Sequence, residues 1–428
     1  MAFKKKRTDK EINSYQRLTE KIVIKKDNPN YKEIDNLCFL SKNLYNATLY
    51  SVRQHFFNEK EFLSYYQVNK IFTETNQPDY RALLAKVSKQ TQMLVNNNFN
   101  SFFKLLEKKN AGAYDGKVKI PKYLDKVKGR QVVIYPKDAL SFKDKGYVKL
   151  SKTNIKIETN KTKDSILQVR LVPKNNHFVI EIVYEVLKNN PMQKKNRYAA
   201  IDIGVDNLMT VSSNVMNPII INGKPLKSIN EFYNKEIARV KSDIMICQEK
   251  YTSLKIQNLY KRRKYKIEDY MHKASRMLVN HLVSNNIDTL IIGENKGWKQ
   301  DINIGTKNNR IFVSIPFYTL KHFFKYKCEM EGMNVVFVEE SYTSKASFLD
   351  KDKIPTYNKK FKGKYTFSGS RIKRGLYKTK DGVKVNADLN GASNIMKKYL
   401  IKNNLWNNKL FEEVSERLIK NPTILNVA

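Results

Sequence analysis

The sequence predicts an α+β chain of several domains: a β domain interrupted by a helical module, followed by an α/β domain. Three observations predict it. Apolar residues recur at helical spacing between residues 31 and 113, a period of two takes over from 114 to 190, and beyond 198 three consecutive strands give way to alternating helices and strands. A chain of 428 residues is long enough for each part to bury its own core.

"LTEKIVIKK" reads as an early strand, so residues 1–30 and 114–190 form one β domain, a barrel or sandwich, into which residues 31–113 are inserted. Within the insertion, Ile34, Leu37, Cys38, Leu44, Tyr45, Leu49, Val52 and Phe56 mark a first helix. A second begins near Pro78 and carries Leu83, Leu84, Val87, Leu94, Phe102, Phe103 and Leu106. "NAGAYDG" ends the module. Then "KVKIPKY", "RQVVIYP", "YVKLSK", "NIKIET", "LQVRLVP" and "HFVIEIVYEV" read as short strands, the last with Phe178, Ile180, Ile182, Tyr184 and Val186 on one face. The linker "KNNPMQKKN" closes the β domain. Residues 191–428 continue with strands at "AAIDIG", "LMTVSS" and "PIIING", two long helices and a strand "TLIIGE". A helix through "FYTLKHFFKYKCEME", a strand "NVVFVEE" and a final helix from about Ala392 complete the series. That is the element order of the RNase H-like fold, in which right-handed crossovers make the first and fourth strands neighbours in mid-sheet.

Composition narrows the partners. Eighty Lys and Arg against forty-one Asp and Glu leave a net charge of +39, which demands a polyanion, either nucleic acid or an anionic membrane surface. No run of about eighteen apolar residues offers a bilayer span. The basic "AFKKKRTDKE" is followed by no apolar segment, so a secretory signal is not expected. Tyr and Phe are interleaved with Lys, as in "NLYKRRKYKIEDY", a pattern that suits base stacking beside phosphate contacts. Three widely spaced cysteines, Cys38, Cys247 and Cys328, point to a reducing compartment, with neither a disulfide framework nor a zinc cluster.

Chemistry enters through carboxylates placed where apolar strands end. In "YAAIDIGVDNLM" the apolar run is interrupted by Asp202, and a buried charge costs several kcal/mol unless it is paired or holds a metal. Glu294 closes "LIIGE" on the predicted neighbouring strand, and Asp388 in "VNADLNGASNI" stands at the start of the last helix, where the chain returns to the same end of the sheet. Taken singly, Asp202 reads as a turn residue, Glu294 as an exposed strand end and Asp388 as a helix cap. Together they form a set that would repel itself unless a hard cation neutralised it, and magnesium takes such oxygens while keeping waters for phosphate exchange. Two ions about 4 Å apart can activate water and stabilise the leaving oxygen. The five His residues fall in no catalytic or zinc pattern, and Asp206 reads as a turn residue.

The same segments carry a resemblance. "AIDIGVDNL", "IIGENKGWK", "ESYTSKASFLD" and "NADLNGASNI", in that order, resemble the TnpB proteins of prokaryotic insertion sequences, relatives of compact type V CRISPR effectors. The likeness covers about Tyr198 to Leu400 and is supported by "HKASRMLV", "FVSIPF" and "SRIKRGLY"; in the N-terminal half it rests on "KNLYNATLY", "GKVKIPKY" and module order. It implies a RuvC-type nuclease domain over residues 191–428, with Asp202, Glu294 and Asp388 as catalytic carboxylates for two Mg2+ ions, replaceable by Mn2+. It also implies a wedge-type β-barrel holding a helical recognition module, and a guide RNA encoded at the transposon's end. Double-stranded target DNA with its displaced strand would be cut beside a short flanking motif in the prokaryotic cytoplasm, by a monomer per guide RNA. A type V CRISPR effector is an alternative, as is a nuclease-inactive RNA-guided regulator, for which a missing carboxylate would be the mark.

One departure from the family pattern matters. Many members carry two Cys-x-x-Cys pairs between the second and third catalytic motifs, whereas the interval from Glu339 to Asp388 has neither Cys nor His, so no zinc is expected there. The insertion at about 340–385 is instead expected to be a basic, metal-free lobe contacting nucleic acid. Arg374 in "KRGLY" could steady the scissile phosphate, because Arg forks suit phosphate; a solvated basic loop is the alternative.

Overall fold

The computed structural model describes residues 14–248, 252–295, 312–357 and 365–427. The chain divides into two compact units, Met1–Val186 and Leu187–Ala428.

In the first unit, β1 (Tyr15–Ile24) leads into four helices: α1 (Tyr31–Glu59), α2 (Tyr65–Glu74), α3 (Pro78–Arg81) and α4 (Ala85–Asn110). Ile34, Cys38, Leu44, Leu49 and Val52 bury one stripe of α1, as their spacing predicts. The helix read as continuous from Pro78 breaks before Ala85, and α2 was not legible in the apolar pattern; its start is fixed by a reciprocal capping box between Ser64 and Gln67. At the far end Gly112 adopts φ +68, and the Ala113 N–H returns to the Lys108 carbonyl, which stops α4 where "NAGAYDG" predicts.

Strands β2 (Val133–Pro136), β3 (Leu140–Ser141), β4 (Tyr147–Leu150), β5 (Lys156–Glu158), β6 (Ile166–Lys174) and β7 (His177–Leu187) follow. With β1 they form two sheets, β1-β7-β6-β2 and β3-β4-β5, in which β7-β6-β2 and β3-β4-β5 pair antiparallel. The expected strand in "KVKIPKY" is absent. Pro121 lacks a ladder donor, and the Asn46 amide, at 2.9 Å from both the N–H and the carbonyl of Leu124, holds the chain just beyond it instead.

The second unit is built on a six-stranded sheet in the order β12-β11-β8-β9-β10-β16. Its strands are β8 (Tyr198–Ile203), β9 (Asn207–Ser213), β10 (Ile219–Asn222), β11 (Thr289–Glu294), β12 (Asn334–Glu339) and β16 (Thr423–Leu425). The first and fourth strands of the series, β8 and β11, are parallel neighbours, with Thr289 opposite Tyr198 and Ile292 opposite Ile201. The meander β8-β9-β10 is antiparallel, and β16, not foreseen, adds a parallel strand beside β10.

Helices cover both faces of this sheet. On one, α6 (Leu254–Ser284) and α7 (Phe317–Met330) pack Met271, Leu278, Leu320 and Phe324 against Ala199, Ile201, Ile203, Leu290 and Ile292. On the other, α8 (Ala387–Lys402) packs Ile395 and Met396 against Tyr198, Ala200 and Ile291. A further helix, α5 (Lys224–Gln248), pairs with the first half of α6 around Tyr233, Ile237, Val240 and Ile256.

Between β12 and α8 lies the lobe, with its own sheet of β13 (Ser370–Lys373), β14 (Leu376–Lys378) and β15 (Lys384–Asn386). The Asp352 carboxylate accepts the Ser347 N–H at 2.7 Å and both the N–H and hydroxyl of Ser368, joining chain segments sixteen residues apart. From α8, the Asn390 and Asn394 amides donate to the Ala346 carbonyl at 2.8 and 2.7 Å. Phe348 is buried and stacks on Phe411 with ring centroids 5.6 Å apart. Asp352→Ala is therefore expected to cost about 2–3 kcal/mol, because bonds to a charged acceptor are lost and the Ser347 N–H is left without its partner. Faster limited proteolysis between residues 347 and 368 checks this; wild-type protection would contradict it.

Candidate active site

Asp202 and Asp388 meet at the C-terminal end of β8, beside the end of β11 that carries Glu294, the end of an α/β sheet where ligands bind. Asp202 is the penultimate residue of β8, opposite Thr210 of β9, on the face covered by α8. There α8 comes very close: a Cβ at Gly391 would lie 2.8 Å from the Asp202 Oδ2, so glycine leaves room for the carboxylate. Asp388 sits in the first turn of α8. The cap of that helix is Asn386, whose side chain accepts the N–H groups of Asp388 and Leu389, so the Asp388 carboxylate is spared for other partners. It receives Arg371 Nη2 from the lobe at 2.7 Å and the Asn207 amide at 2.9 Å.

Burial first, and then the negative charge of Glu340 and Asp388, pushes the Asp202 carboxyl up to about 8, with Arg371 pulling weakly the other way. The structure thus brings Asp202 and Asp388 together. Glu294 it handles differently. Alternation along β11 sends Leu290 and Ile292 to the α7 face and Ile291 to the α8 face, so Glu294 belongs with the former. There its Oε1 lies 3.9 Å from the Lys321 ammonium of α7. The acid beside Asp202 that spacing alone did not reveal is Glu340. The signal was present in "VVFVEE", a second apolar strand closed by carboxylates.

Arg374 forms an ion pair with Asp206 at 2.7 Å, and Lys227 also donates to that carboxylate. Burial would raise the Asp206 carboxyl, but Lys227 and Arg374 outweigh it and hold it below the ordinary range. Asp206 is thus more than a turn residue, and the lobe arginine nearest the Asp202–Asp388 pair is Arg371, three residues before Arg374. Burial likewise holds the Lys321 ammonium below its usual value, offset by Glu340 and Glu294.

Among the described residues no group of three or more His, Cys, Asp or Glu side chains is arranged to hold a metal ion. The reason lies in the ion pairs: Asp388 turns to Arg371 and Glu294 to Lys321. In kind, the donor set still suits a hard cation, because its groups are carboxylate oxygens and the half-buried Asp202 stands beside Asp388 and Glu340 with only Arg371 to relieve them. Opening those pairs would be the condition for binding one. Arg371→Gln is therefore expected to raise the Mn2+ affinity of the nucleic-acid-free protein severalfold, measured by titration calorimetry; unchanged or weaker binding would show that the pair does not compete.

Comparison with known proteins agrees with this architecture. Residues 181–299 match the family model described as "Probable transposase" (OrfB_IS605), and residues 317–395, which include the lobe, match "Cas12f1-like, TNB domain". A TnpB-like protein of Methanocaldococcus jannaschii is 27% identical over 133 residues, which are 31% of this chain and 47% of that protein, so about half of that relative's length is spanned. A TnpB-like protein of Acidianus two-tailed virus is 24% identical over 86% of this chain and 83% of its own length. Both relatives are described as TnpB-like, and this chain is similar to them, to the second over most of its length. Its fold is similar to that of the protein in a solved Cas12f1–sgRNA–target DNA complex, with a TM-score of 0.52 and 14% identity over 85% of this chain and 83% of the other.

Proposed function

We propose that the chain is an RNA-guided, Mg-dependent DNA endonuclease of a transposable element, with an RNase H-like (RuvC-type) domain as its nuclease. The observation that carries this reading is the Asp202–Asp388 pair, brought together at the carboxyl end of the central strands with no cation of its own at Asp202. Asp202 and Asp388 would hold the magnesium ions, and Glu294 would join them only by leaving Lys321 and turning from the α7 face; the chemistry the ions would supply is neutralisation of the scissile phosphate and activation of water.

The side chains in place do the rest. Asn207 orients Asp388 through its amide, and Gly391 lets α8 approach Asp202. The Arg371 and Arg374 guanidiniums, now on Asp388 and Asp206, are forks that suit phosphate oxygens of a strand laid across the carboxylates. Partners follow from charge and kinship: +39 can offset the repulsion among a guide RNA, a target strand and a displaced strand. Base pairing then reads the sequence, and the protein needs shape and backbone contacts more than base-specific side chains. The match of residues 317–395 to a Cas12f1-like domain gives a type V CRISPR effector as the second reading, and a repeat array beside the gene would favour it.

Expressed with its native flanking DNA, the protein is expected to co-purify with one discrete RNA that sequencing maps to that flank. Protein free of RNA, or bound to random cellular RNA, would overturn the guided reading.

A further inference from the structure

We propose that Glu340 is a fourth acidic residue of the nuclease centre, supplying a carboxylate oxygen on the Asp202 face of the sheet, the face from which the pleat turns Glu294 away. The inference rests on the nuclease reading above and adds a residue to it.

Three observations on separate elements support it. First, the sheet assigns faces: Ala200 and Ile291 share the α8 core, whereas Ile201, Ile203 and Ile292 share the α7 core, so Asp202 and Gly293 stand on one face and Glu294 on the other. Second, the Glu340 side chain lies over Gly293. A Cβ there would be 2.2 Å from the Glu340 Oε2 and 2.8 Å from the Ile395 Cδ1, so the missing side chain at 293 is the space that the carboxylate occupies. Third, the carboxylate is oriented, with Oε1 accepting the Asn295 amide at 3.1 Å, on the residue directly after the β11 acid. Glu340 is a half-buried acid in a glycine cradle, and its two neighbouring ammoniums, Lys321 and Lys398, are ion-paired with Glu294 and Glu339, so a divalent ion shared with Asp202 gives this carboxylate a physical use. Glu339 next to it has no such need, because Lys398 already donates to its carboxylate.

The test is Mn2+ binding to the full-length, nucleic-acid-free protein, followed by electron paramagnetic resonance of the free ion. Glu340→Gln is expected to weaken Mn2+ binding about ten- to hundredfold, in the range for losing a group that tunes a metal site. Gly293→Ala keeps every carboxylate and fills the cradle, so it is expected to weaken binding in the same direction even if Glu340→Gln fails to fold. Wild-type Mn2+ affinity in folded Glu340→Gln or Gly293→Ala, with binding lost in Asp202→Asn, would overturn the assignment of Glu340 alone. Wild-type affinity in Asp202→Asn as well would overturn the metal-centre reading and this proposal with it.

Discussion

Asp202→Asn is expected to lower Mg-dependent cleavage by roughly a thousandfold or more while leaving guide RNA bound and the fold intact, as removal of one member of a concerted catalytic set does. The substitution is nearly isosteric and removes no side-chain hydrogen bond among the described residues, so a folding defect has no source in the immediate surroundings. Its carboxylate, however, is the one toward which Glu340 and Asp388 both project charge, and a neutral amide removes the central charge that a shared cation would balance. Asp388→Asn should behave similarly in cleavage but also frees Arg371 and Asn207, so its effect on stability is less clean. Plasmid nicking and RNA retention, measured side by side on the purified complex, check both. Retained cleavage in Asp202→Asn would remove Asp202 from the mechanism.

The same carboxyl predicts an unusual dependence of stability on pH in the metal-free protein. Folded, Asp202 keeps its proton up to about 8; the unfolded chain releases it near the ordinary 3.8. Between those values the folded state binds more protons than the unfolded state, so stability falls as pH rises through the window and levels off above it. Asp202→Asn has no proton to lose. Its melting temperature should therefore match wild type near pH 4 and exceed it increasingly toward pH 8, by several degrees, since each kcal/mol moves a domain of this size about 2–4 °C. The expected signature is a gap that widens with pH under chelator and closes when Mn2+ is added to wild type, because ion binding expels the proton. A gap independent of pH, or of the opposite sign, would contradict the placement of Asp202 among like charges.

What the sequence disclosed and what it withheld have physical explanations. The neighbouring of β8 and β11 was legible, because strand order follows from handed crossovers and from the order of elements. The faces of Asp202 and Glu294 were not. Central parallel strands are apolar on both sides, so "YAAIDI" and "TLIIGE" carry no alternation that says which way each acid points. Glu340 was passed over although "VVFVEE" repeats the pattern that revealed Glu294. Strand β16 escaped because three residues, two of them exposed, offer no pattern at all. In the lobe, a basic and turn-rich stretch has no period, and nothing in "SRIKRGLY" separates Arg371, which reaches Asp388, from Arg374, which reaches Asp206. The helix expected from about Ala392 starts at Ala387, which places Asp388 inside the first turn, and it is not the final one, since Asn408–Leu418 forms another helix after it. The strand expected in "KVKIPKY" failed for a local reason, Pro121 and the Asn46 clasp just beyond it.

The most direct test of the account is cleavage by the wild-type protein purified with its own RNA, offered a plasmid matching that RNA and an otherwise identical unmatched plasmid, each with Mg2+ and with chelator. The account predicts cutting of the matched plasmid in Mg2+ only. Equal cutting of both plasmids, or cutting that survives the chelator, would contradict it.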